Sequence, residues 1–280
     1  MAKTRVAVLF GGVSSEHEVS LMSATNVIRS IPKEKYEVIC IGITKKGRWL
    51  YFPGDVSEIA SGAWETNPDC TAAIISPDPI HKGIITIENG ETYNKKIDVV
   101  FPVLHGRNGE DGRLQGLLEL EKLPYVGCGT LSSALCMDKC MTHTVLDYNG
   151  IRTAKWACVS QREIGKMEEV HSRQTLAAQC LVCLNGSFPQ HIRLCIGNPC
   201  RNKELRSACD VFVFIVVKFC CRLDFFLQKD GGIILNEINT LPGFTNISMY
   251  PKLMEHLGMS QEYLVDKLIE QAMENAERMY

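Results

Sequence analysis

The chain lacks a strong charge imbalance and a long hydrophobic run. Its net charge is −2 at pH 7, which gives no electrostatic reason to expect binding to nucleic acid or to an anionic membrane. The longest apolar run, Val211–Val217, is far shorter than the ~20 residues that span a bilayer. No apolar signal region follows Met1–Arg5 before the first strand-like run. We therefore expect a cytoplasmic protein with neither a membrane nor a nucleic-acid partner.

Cysteine is abundant, but its usage does not indicate a disulfide framework. The 280 residues include 13 cysteines, an odd number, and a chain of this size with many cysteines fits a reducing compartment better. Hydrophobic residues make up 45% of the chain and charged residues 22%. That composition and length suffice for two globular domains with their own cores.

Short apolar runs alternate with helical patterns in the first half. The strand-like runs are Arg5–Phe10, Tyr36–Ile43 and Ile97–Leu104, and a helical pattern covers Glu16–Ile28 behind the candidate N-cap residues Ser14 and Ser15. Strands that alternate with helices predict an α/β domain with a doubly wound parallel sheet. Ligands of such sheets bind beyond the carboxyl ends of the strands, where Gly11-Gly12 and His105-Gly106 fall.

A pattern of acids and an amide near the C-terminus indicates a metal site. The segment Leu235–Thr245 places Glu237 and Asn239 two residues apart on a predicted strand, so both side chains point to one face. Asp224 lies on the preceding strand-like run, and residues 228 to 232 supply a turn. If the strands pair, the three side chains converge as the oxygen ligands that Mg²⁺ prefers. The alternative is an ordinary polar face on a surface hairpin.

The loop His105–Gly112 contains three glycines and precedes a predicted helix, Arg113–Leu120, which Asp111 can cap. Such a loop allows close approach of the backbone to a ligand, but an ordinary strand-to-helix connection has the same pattern. Glu16 and His17 are likewise open to interpretation as plain first-turn helix residues.

Five segments, taken together and in this order, resemble the D-alanine–D-alanine ligases, which are ATP-grasp enzymes of peptidoglycan synthesis. The segments are Gly11–Ser20, His105–Gly116, Met137–Lys139, Arg222–Asp224 and Asn236–Met249. The resemblance extends over about residues 3 to 157 and 221 to 277, and it includes relatives that accept D-serine or D-lactate. It implies an N-terminal domain at 1–125 and an ATP-grasp domain at 126–280, in a homodimer.

The resemblance implies a role for each matching residue on the nucleotide side. Asp224, Glu237 and Asn239 would hold two Mg²⁺ ions, with Mn²⁺ as an alternative, against the phosphates of ATP. Lys139 would approach those phosphates, and Arg222 would stabilise the transferring phosphoryl group.

On the substrate side, the resemblance implies ligation of two D-alanines through an acyl phosphate. Glu16 would receive the ammonium of the first D-alanine, and His105 would line that subsite. Gly243 would donate its backbone N–H to the oxyanion of the tetrahedral intermediate. Ser248 and Met249 would position the second D-alanine.

The central segment, residues 158 to 220, does not match the family pattern. It lacks the expected lysine-bearing strand with its phosphate loop, the acidic adenosine-binding segment and the lid, so we expect an incomplete ATP-grasp domain. Eight of the 13 cysteines lie between Cys158 and Cys221. We favour an altered reading frame with loss of coding length over genuine divergence, and translation of the coding DNA in the other two frames tests this.

Three functions follow as hypotheses. The first is an ATP-dependent D-alanine–D-alanine ligase, or a D-serine or D-lactate relative. The second is a catalytically inactive family member that keeps only its fold or dimerisation. The third is a zinc module, for which Cys180, Cys183, Cys195 and Cys200 would supply thiols, although unligated thiols are expected. We favour the ligase as the inherited function and the inactive member for the chain as written.

Overall fold

A computed structural model describes residues 2 to 156, 177 to 183, 221 to 227 and 233 to 279. The central segment is therefore largely outside the described residues, as are the turn at 228 to 232 and Val211–Val217. The strands are β1 (Thr4–Gly11), β2 (Tyr36–Ile43), β3 (Trp49–Phe52), β4 (Thr71–Ile75), β5 (Gly83–Glu88), β6 (Glu91–Lys96), β7 (Val99–Val103), β8 (Ala177–Cys183), β9 (Cys221–Leu227) and β10 (Ile233–Asn239). The helices are α1 (His17–Ser30), α2 (Ser57–Ser61), α3 (Arg113–Glu121), α4 (Thr130–Met137), α5 (Lys139–Tyr148), α6 (Met249–His256) and α7 (Gln261–Met279), with a 3-10 helix at Ala63–Thr66.

The N-terminal sheet has seven strands in the order β6-β5-β4-β3-β2-β1-β7. Its centre is parallel, as predicted, because β1 runs parallel to both β2 and β7. The sequence did not predict that β3 to β6 extend this sheet in antiparallel pairs. The last pair is joined by a tight turn: Asn89 and Gly90 both have positive φ between β5 and β6, the conformation that a two-residue hairpin turn requires.

Both faces of the parallel centre are covered. Along β1, Val6 and Val8 belong to one hydrophobic core, while Ala7 and Leu9 belong to a second core on the opposite face. The first core also contains Leu223 of β9, so the C-terminal sheet shares a core with the N-terminal one. These observations confirm an α/β fold.

Within the described residues, the C-terminal part contains three antiparallel strands in the order β10-β9-β8. The last helix, α7, begins as predicted, because Ser260 Oγ accepts the Tyr263 N–H at 3.1 Å. Its apolar side is buried at Leu264, Leu268 and Ile269, also as predicted, but the helix continues to Met279 instead of ending near Met273.

The preceding helix, α6, begins at Met249, two residues before the predicted start at Pro251. Proline is tolerated in the first helical turn, because an N–H group at that position would have no intrahelical acceptor. No helix within the described part of the chain is both long and apolar enough to cross a membrane.

Candidate active site

The end of β1 and the start of α1 form one wall of the site. Gly11 has a φ of +89°, and a Cβ there would lie only 2.2 Å from the Ile43 carbonyl oxygen, so the position requires glycine. The predicted N-cap is wrong: Ser14 Oγ accepts the Glu16 N–H at 3.1 Å, and α1 starts at His17 without a side-chain cap. Ser14 instead closes the turn that presents Glu16 at the surface. His17 is buried against the Gly12 carbonyl oxygen, at 2.8 Å from its Nδ1.

The glycine-rich loop after β7 packs against this turn. Gly106 has a φ of +71°, and a Cβ on it would lie 3.0 Å from Ser14 Oγ and 3.3 Å from Glu16 Oε2. Its N–H donates to Glu110 Oε2 at 2.6 Å. Asp111 Oδ1 accepts the Arg113 N–H at 3.3 Å, but the N-cap of α3 is Gly112 and the helix has no side-chain cap, so the predicted cap is wrong. The loop therefore lies close to the carboxylate that the sequence predicted as the ammonium-binding group.

His105, Gly243 and Ser248 meet across the start of the C-terminal loop. A Cβ on Gly243 would lie 3.1 Å from Ser248 Oγ and 3.8 Å from the His105 ring. Ser23 of α1 joins them, because its Oγ lies 3.5 Å from His105 Nε2 and accepts the Phe244 N–H at 3.3 Å. Burial lowers the pKa of His105 to about 4, so the imidazole is neutral near pH 7.

Ser248 and Met249 stand at the start of α6. The Ser248 hydroxyl does not cap the helix but accepts the Thr245 N–H at 2.9 Å. Unpaired N–H groups of the first helical turn attract a carboxylate, so this is a suitable position for the carboxylate of an amino acid. The predicted substrate-side residues thus surround one region between α1, the β7 loop and α6.

The predicted metal ligands converge on the β9–β10 pair. Glu237 lies opposite Asp224 in the antiparallel register. Asn239 Nδ2 lies 3.2 Å from Asp224 Oδ2 and 3.4 Å from Glu237 Oε1. Asp224 is only 5% exposed, which argues against an ordinary solvated hairpin face.

Two cations neutralise these carboxylates. Arg222 donates two hydrogen bonds to Asp224, each at 2.9 Å, and Lys139 Nζ lies 3.3 Å from Glu237 Oε2. Burial raises the pKa of Glu237, but Lys139 and the hydrogen bond from Asn239 more than offset this, so its pKa lies below the ordinary value. The lowered pKa favours the ionised form of Glu237, which is the form that binds a cation.

The donor set fits Mg²⁺. Two carboxylates and an amide are the oxygen-rich combination that hard divalent cations select. Asn239 presents its nitrogen to both acids in this arrangement, and rotation of its amide by half a turn presents the oxygen instead. With Mg²⁺ bound, Asp224, Glu237 and Asn239 would be its protein ligands.

Sequence reasoning missed Glu110. The pKa of Glu110 is raised to about 7, mainly by burial. The hydrogen bond from the Gly106 N–H and the positive charges of Lys139 and Arg222 lower this pKa, whereas the negative charge of Glu16 raises it. Glu110 thus lies within electrostatic reach of both the predicted ammonium-binding acid and the phosphate-side cations. Its place in the Gly-Glu-Asp-Gly stretch was the available signal, but only the folded loop shows which way the carboxylate points.

The cysteines give no support to a zinc module. Among the described residues, no three His, Cys, Asp or Glu side chains form a candidate metal cluster, since the hairpin triad comprises two acids and an amide. Cys195 and Cys200 lie outside the described residues. Cys140 is disulfide-bonded, which the interpretation of the cysteines as those of a reducing compartment did not predict. Among the described cysteines, the following are outside disulfides: Cys40, Cys70, Cys128, Cys136 and Cys221.

Comparisons with known proteins identify the family of this chain. Residues 5–128 match the family profile described as D-ala D-ala ligase N-terminus, and residues 191–270 match D-ala D-ala ligase C-terminus. The chain is 36% identical over 353 residues to the D-alanine–D-alanine ligase of Thermoanaerobacter sp. (strain X514), covering 98% of each chain.

Solved structures show the same fold. The VanG D-Ala:D-Ser ligase from Enterococcus faecalis matches with a TM-score of 0.82 and 28% identity, covering 97% of this chain and 100% of that one. The D-alanine–D-alanine ligase from Coxiella burnetii matches with a TM-score of 0.81 and 29% identity, covering 99% and 97%. The fold is that of the ATP-grasp ligases.

This chain belongs to the D-alanine–D-alanine ligase family, whose members are ATP-dependent ligases. The alignment with the Thermoanaerobacter ligase is longer than the 280-residue chain, so that ligase has residues without a counterpart here. The C-terminal family match begins at residue 191, inside the segment 158 to 220. The resemblance therefore reaches further into the central segment than its motifs indicated.

Proposed function

We propose that this chain ligates two D-alanines to D-alanyl-D-alanine with ATP, as a step in peptidoglycan precursor synthesis in the cytoplasm. The observation that carries the proposal is the convergence of the Asp224, Glu237 and Asn239 triad with flanking Lys139 and Arg222. Acids paired with protein cations suit a site that exchanges those cations for metal ions and phosphate oxygens.

The reaction requires two displacements. The carboxylate of the first D-alanine attacks the γ-phosphoryl group of ATP, so that ADP leaves and an acyl phosphate forms. The amine of the second D-alanine then attacks the acyl carbon, loses a proton, and inorganic phosphate leaves. Mg²⁺ bound to the triad would neutralise charge on the phosphates.

The residues of the chain support these displacements by position. Arg222 stands beside the triad, where its guanidinium can release one carboxylate oxygen and bind an oxygen of the transferring phosphoryl group. The Gly243 N–H would donate a hydrogen bond to the oxyanion of the tetrahedral intermediate. Glu16 holds the ammonium of the first D-alanine beside neutral His105. Ser248 and Met249 orient the second D-alanine.

The protein would act as two domains, 1–125 and 126–280, in a homodimer. D-Serine or D-lactate is the alternative second substrate, because the VanG neighbour is a D-Ala:D-Ser ligase of the same fold. Product analysis separates these cases. We expect D-alanyl-D-alanine as the main product by mass spectrometry when D-alanine, D-serine and D-lactate compete at equal concentrations with Mg-ATP. A D-alanyl-D-serine or D-alanyl-D-lactate product would reassign the acceptor.

An inactive family member is the second candidate. The alignment is longer than this chain, and residues 129 to 190 match neither family profile. Loss of two charge-assisted phosphate contacts, each worth about 1.5 to 3 kcal/mol, would slow turnover by roughly two to four orders of magnitude. The C-terminal family match that starts at residue 191 favours the active ligase. Absence of product from folded protein that still binds D-alanine would favour the inactive member.

A further inference from the structure

Gly106 lies between two carboxylates. On one side, its N–H donates to Glu110 Oε2 at 2.6 Å. On the other side, its Cα faces Glu16, whose Oε2 would lie 3.3 Å from any Cβ at this position. Because the residue is glycine, the carboxylate of Glu16 can approach the backbone that Glu110 holds. The loop thus brings two acids from distant parts of the sequence to one small region.

Two like charges at such a place are unfavourable in the absence of a cation. Glu16 raises the pKa of Glu110, while Lys139 and Arg222 act on it from the phosphate side and lower it. The charged side chains that act on Glu110 are thus Glu16 just before α1, Lys139 on α5 and Arg222 on β9. In the proposed ligase, Lys139 and Arg222 face phosphate oxygens, which reduces the stabilisation that they give to Glu110. A substrate ammonium would then be the cation that compensates the two acids.

We propose that Glu110 is a second carboxylate of the ammonium subsite and binds the first D-alanine together with Glu16. This assignment rests on the proposed ligase function and adds a substrate-binding residue to it. The ammonium receives two negatively charged partners on either side of Gly106. A hydroxy acid in the first position would lack the ammonium and gain nothing from the pair, so the pair selects an amino acid for that position.

Binding of D-alanine should change the protonation of Glu110. With a pKa of about 7, Glu110 is about half protonated at pH 7 in the free protein. Arrival of a positive charge favours the ionised carboxylate, so binding of D-alanine releases the proton of Glu110 to solvent. A residue that merely holds the loop through the Gly106 N–H would release no proton.

Isothermal titration calorimetry of D-alanine into the full chain with Mg²⁺ tests this. Titrations at pH 7 in PIPES and in Tris, buffers with different protonation enthalpies, give the number of protons released per D-alanine. We expect about half a proton for the wild type, because about half of Glu110 is protonated at that pH. Glu110→Gln keeps an oxygen for the Gly106 N–H but should release no proton and bind D-alanine about tenfold more weakly at pH 8.

Glu121→Gln is the matched control. Glu121 also has a pKa raised to about 7 by burial and also accepts a glycine N–H, that of Gly83 at 2.8 Å, at the far end of α3. This variant should release protons as the wild type does. Proton release that persists in Glu110→Gln, or a wild type that binds D-alanine without release, would overturn the role of Glu110 and leave the ligase function intact. A folded wild type that binds no D-alanine would overturn both proposals.

Discussion

At Gly243, the missing side chain leaves room between Ser248 and His105. A methyl group would lie 3.1 Å from Ser248 Oγ and 3.8 Å from the His105 ring. The distance to Ser248 is shorter than most contacts that Cβ atoms make in proteins. The space that it would fill is the space that we assign to the substrate.

Gly243→Ala should therefore weaken D-alanine binding by about tenfold while changing the free energy of unfolding by less than about 1 kcal/mol. Calorimetric titration and urea unfolding measure the two effects. Gly116→Ala is the control, because its Cβ would make only ordinary contacts at 3.8 to 3.9 Å with Thr130. Equal binding by both variants would show that Gly243 does not border the substrate.

Glu121 is fully buried, and burial raises its pKa from 4.5 to about 7. One carboxyl oxygen accepts the Gly83 N–H, and the other, Oε2, has no hydrogen-bond partner. Because the folded state holds this proton more tightly than the unfolded state, the wild type loses stability as the pH rises from about 4.5 to 7, by about 3 kcal/mol. Above pH 7 the loss is complete.

Glu121→Gln keeps the hydrogen bond from Gly83 and cannot ionise. Its free energy of unfolding relative to that of the wild type should rise between pH 4.5 and 7 and then become constant. Urea unfolding at four pH values measures this difference. Parallel stability curves for the two proteins would contradict a raised pKa at Glu121.

Individual site residues could be predicted from the sequence where they lie on a regular helix or strand or in a family motif. Asp224, Glu237 and Asn239 follow from strand periodicity and a hairpin, which are local properties. Glu110 and Ser23 were missed because their partners, Gly106 for one and Phe244 for the other, depend on how the loops fold against α1.

Among the elements, α1 supports the loop that follows β10, which is the proposed substrate loop. Asn26 Nδ2 donates to the Phe244 carbonyl oxygen at 3.0 Å and to Asn246 Oδ1 at 2.9 Å. These bonds hold the segment that carries Gly243 and Ser248 against the N-terminal part of the protein. The position of the C-terminal substrate loop therefore depends on an N-terminal helix.

Asn26→Ala should increase amide hydrogen exchange in residues 241 to 248 by about five- to tenfold, because it removes hydrogen bonds worth about 1 kcal/mol each. Mass spectrometry of deuterated peptides measures the exchange. Asn94 lies on β6, and Asn94→Ala removes a comparable hydrogen bond to the His81 carbonyl oxygen. This control should leave the exchange of residues 241 to 248 unchanged. A uniform increase across the chain would indicate global destabilisation instead.

Elements were predicted best where their periodicity is unambiguous. β2 has the predicted bounds, Tyr36–Ile43, because both of its ends are marked by a change from apolar to polar residues. The Asn89-Gly90 pair is a strong hairpin signal that accounts for β5 and β6, but alternation of strands and helices elsewhere favoured an all-parallel sheet. The start of α1 was misplaced because Ser14 bonds within its own turn.

The last helix, α7, connects the C-terminal part of the molecule to the N-terminal sheet through side-chain hydrogen bonds. Asp266 accepts the Tyr36 hydroxyl at 2.8 Å and Lys35 Nζ at 2.6 Å, at the start of β2. Asp266 is buried, whereas Glu270 on the same helix is a partly exposed partner of Lys35 at 3.4 Å. The buried acid stabilises the association of the two ends of the chain more than the exposed one does.

Asp266→Ala should lower the free energy of unfolding by about 2 to 3 kcal/mol, since it also leaves the Tyr36 hydroxyl unpaired. Glu270→Ala, the control, should lower it by less than about 1 kcal/mol. Urea unfolding followed by circular dichroism measures both. If the two variants lost equal stability, α7 would not be anchored through Asp266.

The most direct test of the ligase site is D-alanine-dependent phosphate release from Mg-ATP by the folded chain and by Glu237→Gln. The substitution replaces one carboxylate ligand with an amide of the same shape. The account predicts phosphate release that requires D-alanine and falls at least about 100-fold in the variant, the loss expected for a disrupted metal site. Folded wild-type protein that releases no phosphate, or release that Glu237→Gln does not reduce, would contradict it.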